Sequence, residues 1–515
     1  MMCGGSAGWR CAWLSVWLTF STVVTVEAQK RPNLKLSALQ TSHTEHRDKY
    51  RERLNGVIAY CREHQLADGV DTAHKYRAAL TGGMMPVVTL PATFEPDLPA
   101  SLTPEQREWQ VQLRSHRKEY AKDLYLLSRR AVNNGHPAFA FDLVREIVRH
   151  DPDHQQAREL LGFVSHEQRW VTPQAKALLR KGHVWSKDFG WIPEKDLLRY
   201  QKGERLVDGR WMSREKEAEI RRDFRKAWEV RTDHYLIRTN DSLERGVELG
   251  LALEDFHQFF HQTFAAFFAS PDQLQQLFNG RAKSGARYAE PYNIHFYRDR
   301  EEYVSRLEPH FKFIDKTNGL YLPSGPVART AHFYHDPMGN HEATLFHEAT
   351  HQLFYESFPQ NRPIAEKGHF WIIEGVACYM ESFQRRNGEL SVGDPQYIRF
   401  AGARFNFIDQ KYYVPLQQFA QMGMQRFQAD EMLAKNYTQA SGLVHFFMHY
   451  DDGRYRDALI AQLNQLYSDN PRQREYPKEL DELTGETFGE LDRLYGEYVY
   501  DVARKLAAGT EVSAP

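Results

Sequence analysis

The chain has 515 residues, with 66 Lys and Arg against 68 Asp and Glu and a formal net charge of -2. At about 150 residues per domain this length implies about three units, and the balanced charge, free of long single-sign runs, gives no support to a nucleic-acid or polybasic membrane-surface role. Hydrophobic residues at 42% and charged residues at 26% exclude collagen-like, mucin-like and mainly disordered classes.

Residues 1–28 read as a signal peptide. Arg10 precedes a mostly apolar run from Cys11 to Val26, and Val26-Glu27-Ala28 supplies the small residues of a cleavage site after Ala28. The run is shorter than the roughly 20 residues a membrane span needs, so export to the periplasm or exterior is expected, with a membrane anchor as the alternative. No other stretch of the mature chain is long and apolar enough to span. Cys3 and Cys11 leave with the signal, and Cys61 and Cys378 remain; one bridge between them stays open.

Residues 29–103 read as a polar helical segment followed by a Pro-bearing strap that begins at Thr81-Gly82-Gly83. Residues 104–168 carry a helical period, with Ala140, Leu143, Ile147, Ala157 and Leu161 on buried faces. They resemble a single tetratricopeptide-like helix pair, a support and not an array. Residues 169–228 hold Trp170, Trp185, Trp191, Trp211 and Trp228, and three phrases, Trp170-Val171-Thr172, Trp191-Ile192-Pro193 and Trp211-Met212-Ser213, form a weak repeat. Their rings suit packing, with sugar stacking as the alternative. From residue 229 to 410 short strands (His234–Thr239, Tyr292–Tyr297) alternate with longer helices such as Ser242–Phe268. Gly319–Tyr321 and Ala331–Tyr334 read as hairpin arms around Pro323, Gly325 and Pro326. Residues 411–515 read as helical, and the expected fold class is α+β.

His347-Glu348-Ala349-Thr350-His351 is an HExxH sequence. Residues four apart share a helical face, so both imidazoles can reach one zinc ion while Glu348 beside them holds a water. Ala343, Phe346, His347, Thr350, His351 and Phe354 recur at spacings of three and four, which puts both histidines on the buried stripe, and Asn340 is the expected N-cap. Further on, Phe370, Ile373, Glu374, Ala377, Cys378 and Glu381 follow the same spacing and set two carboxylates on an apolar stripe. Buried carboxylates are costly unless paired or bound to metal. Glu374 is therefore read as the third zinc ligand, and Glu381 as acceptor for the second ring N–H of a ligating histidine. A salt bridge from Glu381 to Arg385 is the alternative. Two histidines, one carboxylate and an open position are the donor set of a catalytic zinc.

These residues resemble the gluzincin metallopeptidases, in particular the thermolysin-like catalytic domain of the M1 aminopeptidase group. The resemblance covers about residues 229–505. It rests on HExxH, on the Trp-x-x-Glu-Gly-x-Ala-x-Tyr-x-Glu run from Trp371 to Glu381, whose Glu374 lies 23 residues past His351, and on the segment Tyr437–Val444. It implies peptide-bond hydrolysis with Zn2+ as cofactor, Glu348 as general base and Tyr437 as hydrogen-bond donor to the developing oxyanion. No Gly-x-Met-Glu-Asn phrase precedes the zinc helix, so the resemblance does not extend to amino-terminal exopeptidase specificity. The whole chain also resembles a family of exported bacterial proteins that carry this domain after a helical, Trp-bearing region.

Other readings stay open on the residues alone. Tyr437 also suits a core position, with Tyr412, Tyr413 and His445 next in line for the oxyanion. His445 and His449 form a second pair at the same spacing, without a matching carboxylate helix. Cys378 suits a small buried hydrophobe. Gly319, Tyr321 and Ala331–Tyr334 form either an ordinary hairpin or the edge on which a peptide substrate adds as a strand. Against the peptidase stand a degenerate zinc-binding interaction protein and a glycan-binding envelope protein.

Overall fold

The computed structural model describes residues 35–80, 86–281, 290–325, 327–336, 341–358, 364–429 and 431–509. The signal segment, Thr81-Gly82-Gly83, Pro326 and Asn340 lie outside the described residues.

Helices Leu36–Glu63 and Ala67–Ala78 open the chain, and helices Pro104–Asn133, Pro137–His150 and Gln155–Leu160 follow. Thr103 starts the longest of them with a capping box, its hydroxyl accepting from the Gln106 N–H while Gln106 answers to the Thr103 N–H. The sequence reading put residues 29–103 and 104–168 in separate units, but one core joins them: Leu39, Tyr50 and Leu54 pack with Trp109, Tyr120, Leu124, Ala140 and Ile147. Tyr50 and Tyr120 stack face to face at 4.4 Å. The strap does not simply lie on a surface. Val87–Val88 pairs antiparallel with Glu389–Ser391, whose hairpin partner is Gln384–Arg386, so the helical unit is stitched to the region past residue 380. That hairpin interrupts the stretch beyond residue 340, which by its sequence reads almost entirely as helix.

The tryptophan repeat is a structural one. Three antiparallel hairpins, Val164–His166 with Arg169–Val171, His183–Ser186 with Gly190–Pro193, and Glu204–Val207 with Arg210–Ser213, are each followed by a helical segment. Trp170, Trp191 and Trp211 sit in the second arm of each, and Thr172 and Ser213 cap the following helices. Asp208 and Gly209 both have positive φ, as the tight two-residue turn of a twisted hairpin requires. The rings are spent on packing: Trp170 is buried with its Nε1 donating to Asp153 at 2.8 Å, Trp185 meets Trp191 edge to face, and the Arg199 guanidinium lies 3.7 Å from the Trp211 ring centre.

A five-stranded sheet in the order Leu320–Tyr321, Thr330–Tyr334, Tyr292–Tyr297, Tyr235–Thr239, Trp228–Arg231 follows. Its three inner strands are parallel and both edges antiparallel. Thr330–Tyr334 is thus an inner strand, and the edge on its side of the sheet belongs to Leu320–Tyr321, whose side chains are buried. The long helix ends at Thr263, and Phe264 leaves it to pack with Phe267 against Phe354. Helix His341–Glu356 lies against the sheet, its Phe346, Ala349 and Leu353 belong to the main core, and Phe346 stacks on Phe256 at 4.9 Å. Helix Phe370–Met380 is buried on every side, not along one stripe. It crosses helix Leu433–His449 so closely that a Cβ on Gly375 would sit 2.8 Å from the Ala440 carbonyl oxygen. The architecture is mixed α+β, and among the described residues no helix is long and apolar enough to cross a membrane.

Candidate metal centre

Helix His341–Glu356 carries His347 and His351 one turn apart, and helix Phe370–Met380 brings Glu374 across from them. The His347 and His351 Nε2 atoms are 3.2 Å apart. Glu374 Oε2 lies 3.5 Å from the first and 3.7 Å from the second. Three donors at 2.0–2.1 Å around a tetrahedral zinc have edges of about 3.3 Å, so this triangle has the size of a three-ligand site with one corner free.

The charges point the same way. Burial alone would favour neutral Glu374, but the charge of His351 and the hydrogen bonds from both histidines hold its carboxyl well below the ordinary range. Burial likewise opposes a charge on His347, yet its hydrogen bonds to Cys378, Glu374 and Glu381 push its pKa well above the usual imidazole value. A cluster of this composition demands a cation, and either a proton or a metal ion supplies it.

Glu381 accepts from His347 Nδ1 at 2.9 Å, which leaves Nε2 with its lone pair toward the triangle. Arg399 grips the same carboxylate through Nε at 2.9 Å and its terminal nitrogen at 3.0 Å, and the Tyr397 hydroxyl adds a bond at 3.1 Å. Burial resists the charge on Glu381, but the bonds from His347 and Arg399 lower its pKa to about 2. The alternative partner is engaged elsewhere, since Arg385 Nε donates to Asp255 at 2.9 Å. Sequence reasoning missed Tyr397 and Arg399. They lie on a later segment with no fixed spacing to Glu381, and only an unexplained buried carboxylate signalled that a cation was needed.

Glu348, which follows His347 in the chain, accepts the backbone N–H of Tyr321 on the sheet edge through Oε2 at 2.9 Å, and this ties its carboxylate to that strand. Tyr437, half-buried on helix Leu433–His449, packs its ring on Phe427 at 5.3 Å. Among the described residues its hydroxyl meets only the end of Gln428, at 3.5 Å. Burial first, and then the negative charge of Glu374, raise the pKa of this phenol, so the hydroxyl keeps its proton at neutral pH and can donate.

The other sequence candidates are occupied. The Tyr413 hydroxyl donates to Asp492 at 2.6 Å, and that of Tyr412 to Asn436 at 3.4 Å. His445 binds the Gly393 carbonyl and the Tyr498 hydroxyl, and His449 binds the Tyr379 hydroxyl at 2.8 Å. Cys61 and Cys378 are both free and buried, and Cys378 lies against His347 and Glu381. Comparison with protein-family models, with curated proteins and with solved structures gave no match, so the chemistry of the site is read from its geometry.

Proposed function

We propose that the chain is an exported zinc-dependent peptidase whose residues 229–505 form a thermolysin-like catalytic unit. The observation that carries this reading is the triangle of His347 Nε2, His351 Nε2 and Glu374 Oε2, with Glu348 next to His347 in the chain and its carboxylate held by the Tyr321 N–H. A purely structural site has no use for that base. Zinc bound there supplies a Lewis acid and lowers the pKa of a bound water toward neutrality.

The chain's own groups account for the rest. Glu348 is anchored through Oε2, which leaves Oε1 to take a proton from the attacking water and to return it to the leaving amine. The Tyr437 hydroxyl donates to the oxygen of the scissile carbonyl as negative charge develops on it. Glu381 holds the His347 tautomer. The Leu320–Tyr321 edge is the side of the sheet on which an extended peptide adds as a strand, and the Tyr321 N–H, taken by Glu348, joins that edge to the base. The signal-like first 28 residues support a location outside the cytoplasm.

The test is cleavage of a peptide library by the purified mature chain and by Glu348→Gln. Wild type should cut, and the variant should lose about 10²- to 10⁴-fold in kcat with its zinc retained. A zinc-loaded wild type that cuts nothing, or a variant that cuts as well as wild type, refutes the reading.

A further inference from the structure

Tyr437 stands where helix Leu433–His449 meets the segment before it, and an amide clamp holds the two together. Asn436, the preceding residue, is buried; its Nδ2 donates to the Phe427 carbonyl at 2.8 Å, and its Oδ1 accepts the Tyr412 hydroxyl at 3.4 Å. Phe427 ends the short helix Met424–Phe427, and the Tyr437 ring packs on it at 5.3 Å. At the head of that short helix the Met424 N–H donates to the Glu366 carbonyl at 3.1 Å, and a Cβ on Gly423 would fall 2.1 Å from the same oxygen. The segment is thus pressed against the chain that leads into helix Phe370–Met380, the carrier of Glu374. Gln428 follows Phe427, its backbone N–H donating to the Met424 carbonyl at 2.9 Å.

From this fixed backbone the Gln428 side chain reaches the phenol, and its Nε2 donates to the Tyr437 hydroxyl oxygen at 3.5 Å. A hydroxyl has one proton to give and lone pairs with which to accept. Gln428 takes a lone pair, and among the described residues nothing takes the proton, which stays available to an incoming oxygen. The bond is long, as such contacts are before substrate arrives. Burial and the charge of Glu374 raise the phenol pKa while the Gln428 bond opposes them, the direction expected of a donor to the phenol oxygen.

We propose that Gln428 is a positioning residue for Tyr437: its amide N–H holds the phenol oxygen and turns the phenol proton toward the scissile carbonyl oxygen of a bound peptide. The inference rests on the peptidase reading and on Tyr437 as the oxyanion donor. The donor character of the amide is what matters, because a carboxylate in its place would accept the phenol proton and withdraw it from the substrate. As the phenol gives up part of its proton to the oxyanion, its own oxygen gains charge and the Gln428 bond strengthens. Gln428 therefore contributes at the transition state and not to the holding of substrate.

The test compares kcat and KM on a peptide that wild type cleaves, for Gln428→Ala, Gln428→Glu, Tyr437→Phe and Gln428→Ala/Tyr437→Phe. Gln428 is exposed, so the fold should tolerate each change there. Gln428→Ala should lower kcat by about 2- to 10-fold with KM unmoved, and Gln428→Glu should fall further toward Tyr437→Phe. Gln428→Ala/Tyr437→Phe should be no slower than Tyr437→Phe alone. A second readout needs neither zinc nor substrate. With 3,5-difluorotyrosine at position 437, whose fluorines bring the phenol pKa into reach, fluorine resonance on the metal-free chain should show that pKa about 0.4 to 1 higher in Gln428→Ala. The proposal is overturned by a Gln428→Ala that keeps wild-type kcat, by an unmoved phenol pKa, or by an added loss in the Tyr437→Phe background. A gain in kcat overturns it too, since that result puts the amide oxygen on the phenol. A wild type that cuts nothing, or a Tyr437→Phe with full activity, refutes the reading beneath the proposal and takes the proposal with it. An impaired Tyr437→Phe beside an unimpaired Gln428→Ala sinks the proposal alone.

Discussion

Two histidine pairs in this molecule have the same spacing and opposite fates. His347 and His351 on one helix, and His445 and His449 on another, are each four residues apart, and both helices pack on Phe370–Met380. The first pair aims both Nε2 atoms at a third donor, Glu374, and hydrogen bonds to Cys378, Glu374 and Glu381 push the His347 pKa up against burial. The second pair sits among hydroxyls and a carbonyl, and burial drives the His445 pKa down to about 4 and that of His449 well below the usual imidazole value. Spacing places two imidazoles on one face; the neighbours on the facing element decide whether they hold a cation or a neutral hydrogen-bond network.

The largest contrast should come from removing one imidazole from each pair. His351→Ala should empty the site and end turnover, because two remaining donors hold zinc poorly, whereas His449→Ala should keep wild-type zinc at that site. The cost of His449→Ala is stability, about 1–3 kcal/mol for leaving the buried Tyr379 hydroxyl without its partner. Metal analysis and thermal melts of both variants check this. If His449→Ala empties the site of the first pair, the two pairs are not independent.

Tyr437→Phe sharpens the comparison on helix Leu433–His449, which carries both Tyr437 and the second pair. Loss of a donor used only at the transition state should lower kcat and kcat/KM alike by about 10²-fold or more, with zinc content and melting temperature near wild type. Full activity on a substrate that wild type cleaves would return Tyr437 to a packing role. Glu381→Gln should act more gently, by about 10- to 100-fold in zinc affinity or activity. Unchanged affinity and turnover would show that Arg399 and Tyr397 hold the carboxylate for structural reasons alone.

The smallest effect is that of pH on the second pair. His445 titrates near 6.5 when unfolded but at about 4 in the fold. Its neutral form therefore contributes stability that is fully present above about 6.5 and is lost as pH falls toward about 4. Melting temperature should fall across that window, and His445→Gln should flatten part of the slope. An identical slope in the variant would assign the acid sensitivity to other buried histidines, such as His150 or His332, whose pKa values burial also lowers to about 4.

Much of the candidate site was legible in one dimension because its chemistry is helical. HExxH and the Glu374 helix each depend on residues three and four apart, and that period survives any tertiary arrangement. The strands at Tyr235–Thr239 and Tyr292–Tyr297 and the threefold tryptophan phrase were readable for the same reason, since alternation and turn residues are local signals. What crosses between distant segments was not. Arg399 on Glu381, Tyr321 on Glu348 and Val87–Val88 on Glu389–Ser391 join residues far apart in sequence with no constraint on their spacing. The sequence by itself determined which side chains could share a helical face; only the tertiary structure, by burying those faces against particular neighbours, decided which of them meet a charge, a hydroxyl or an open corner.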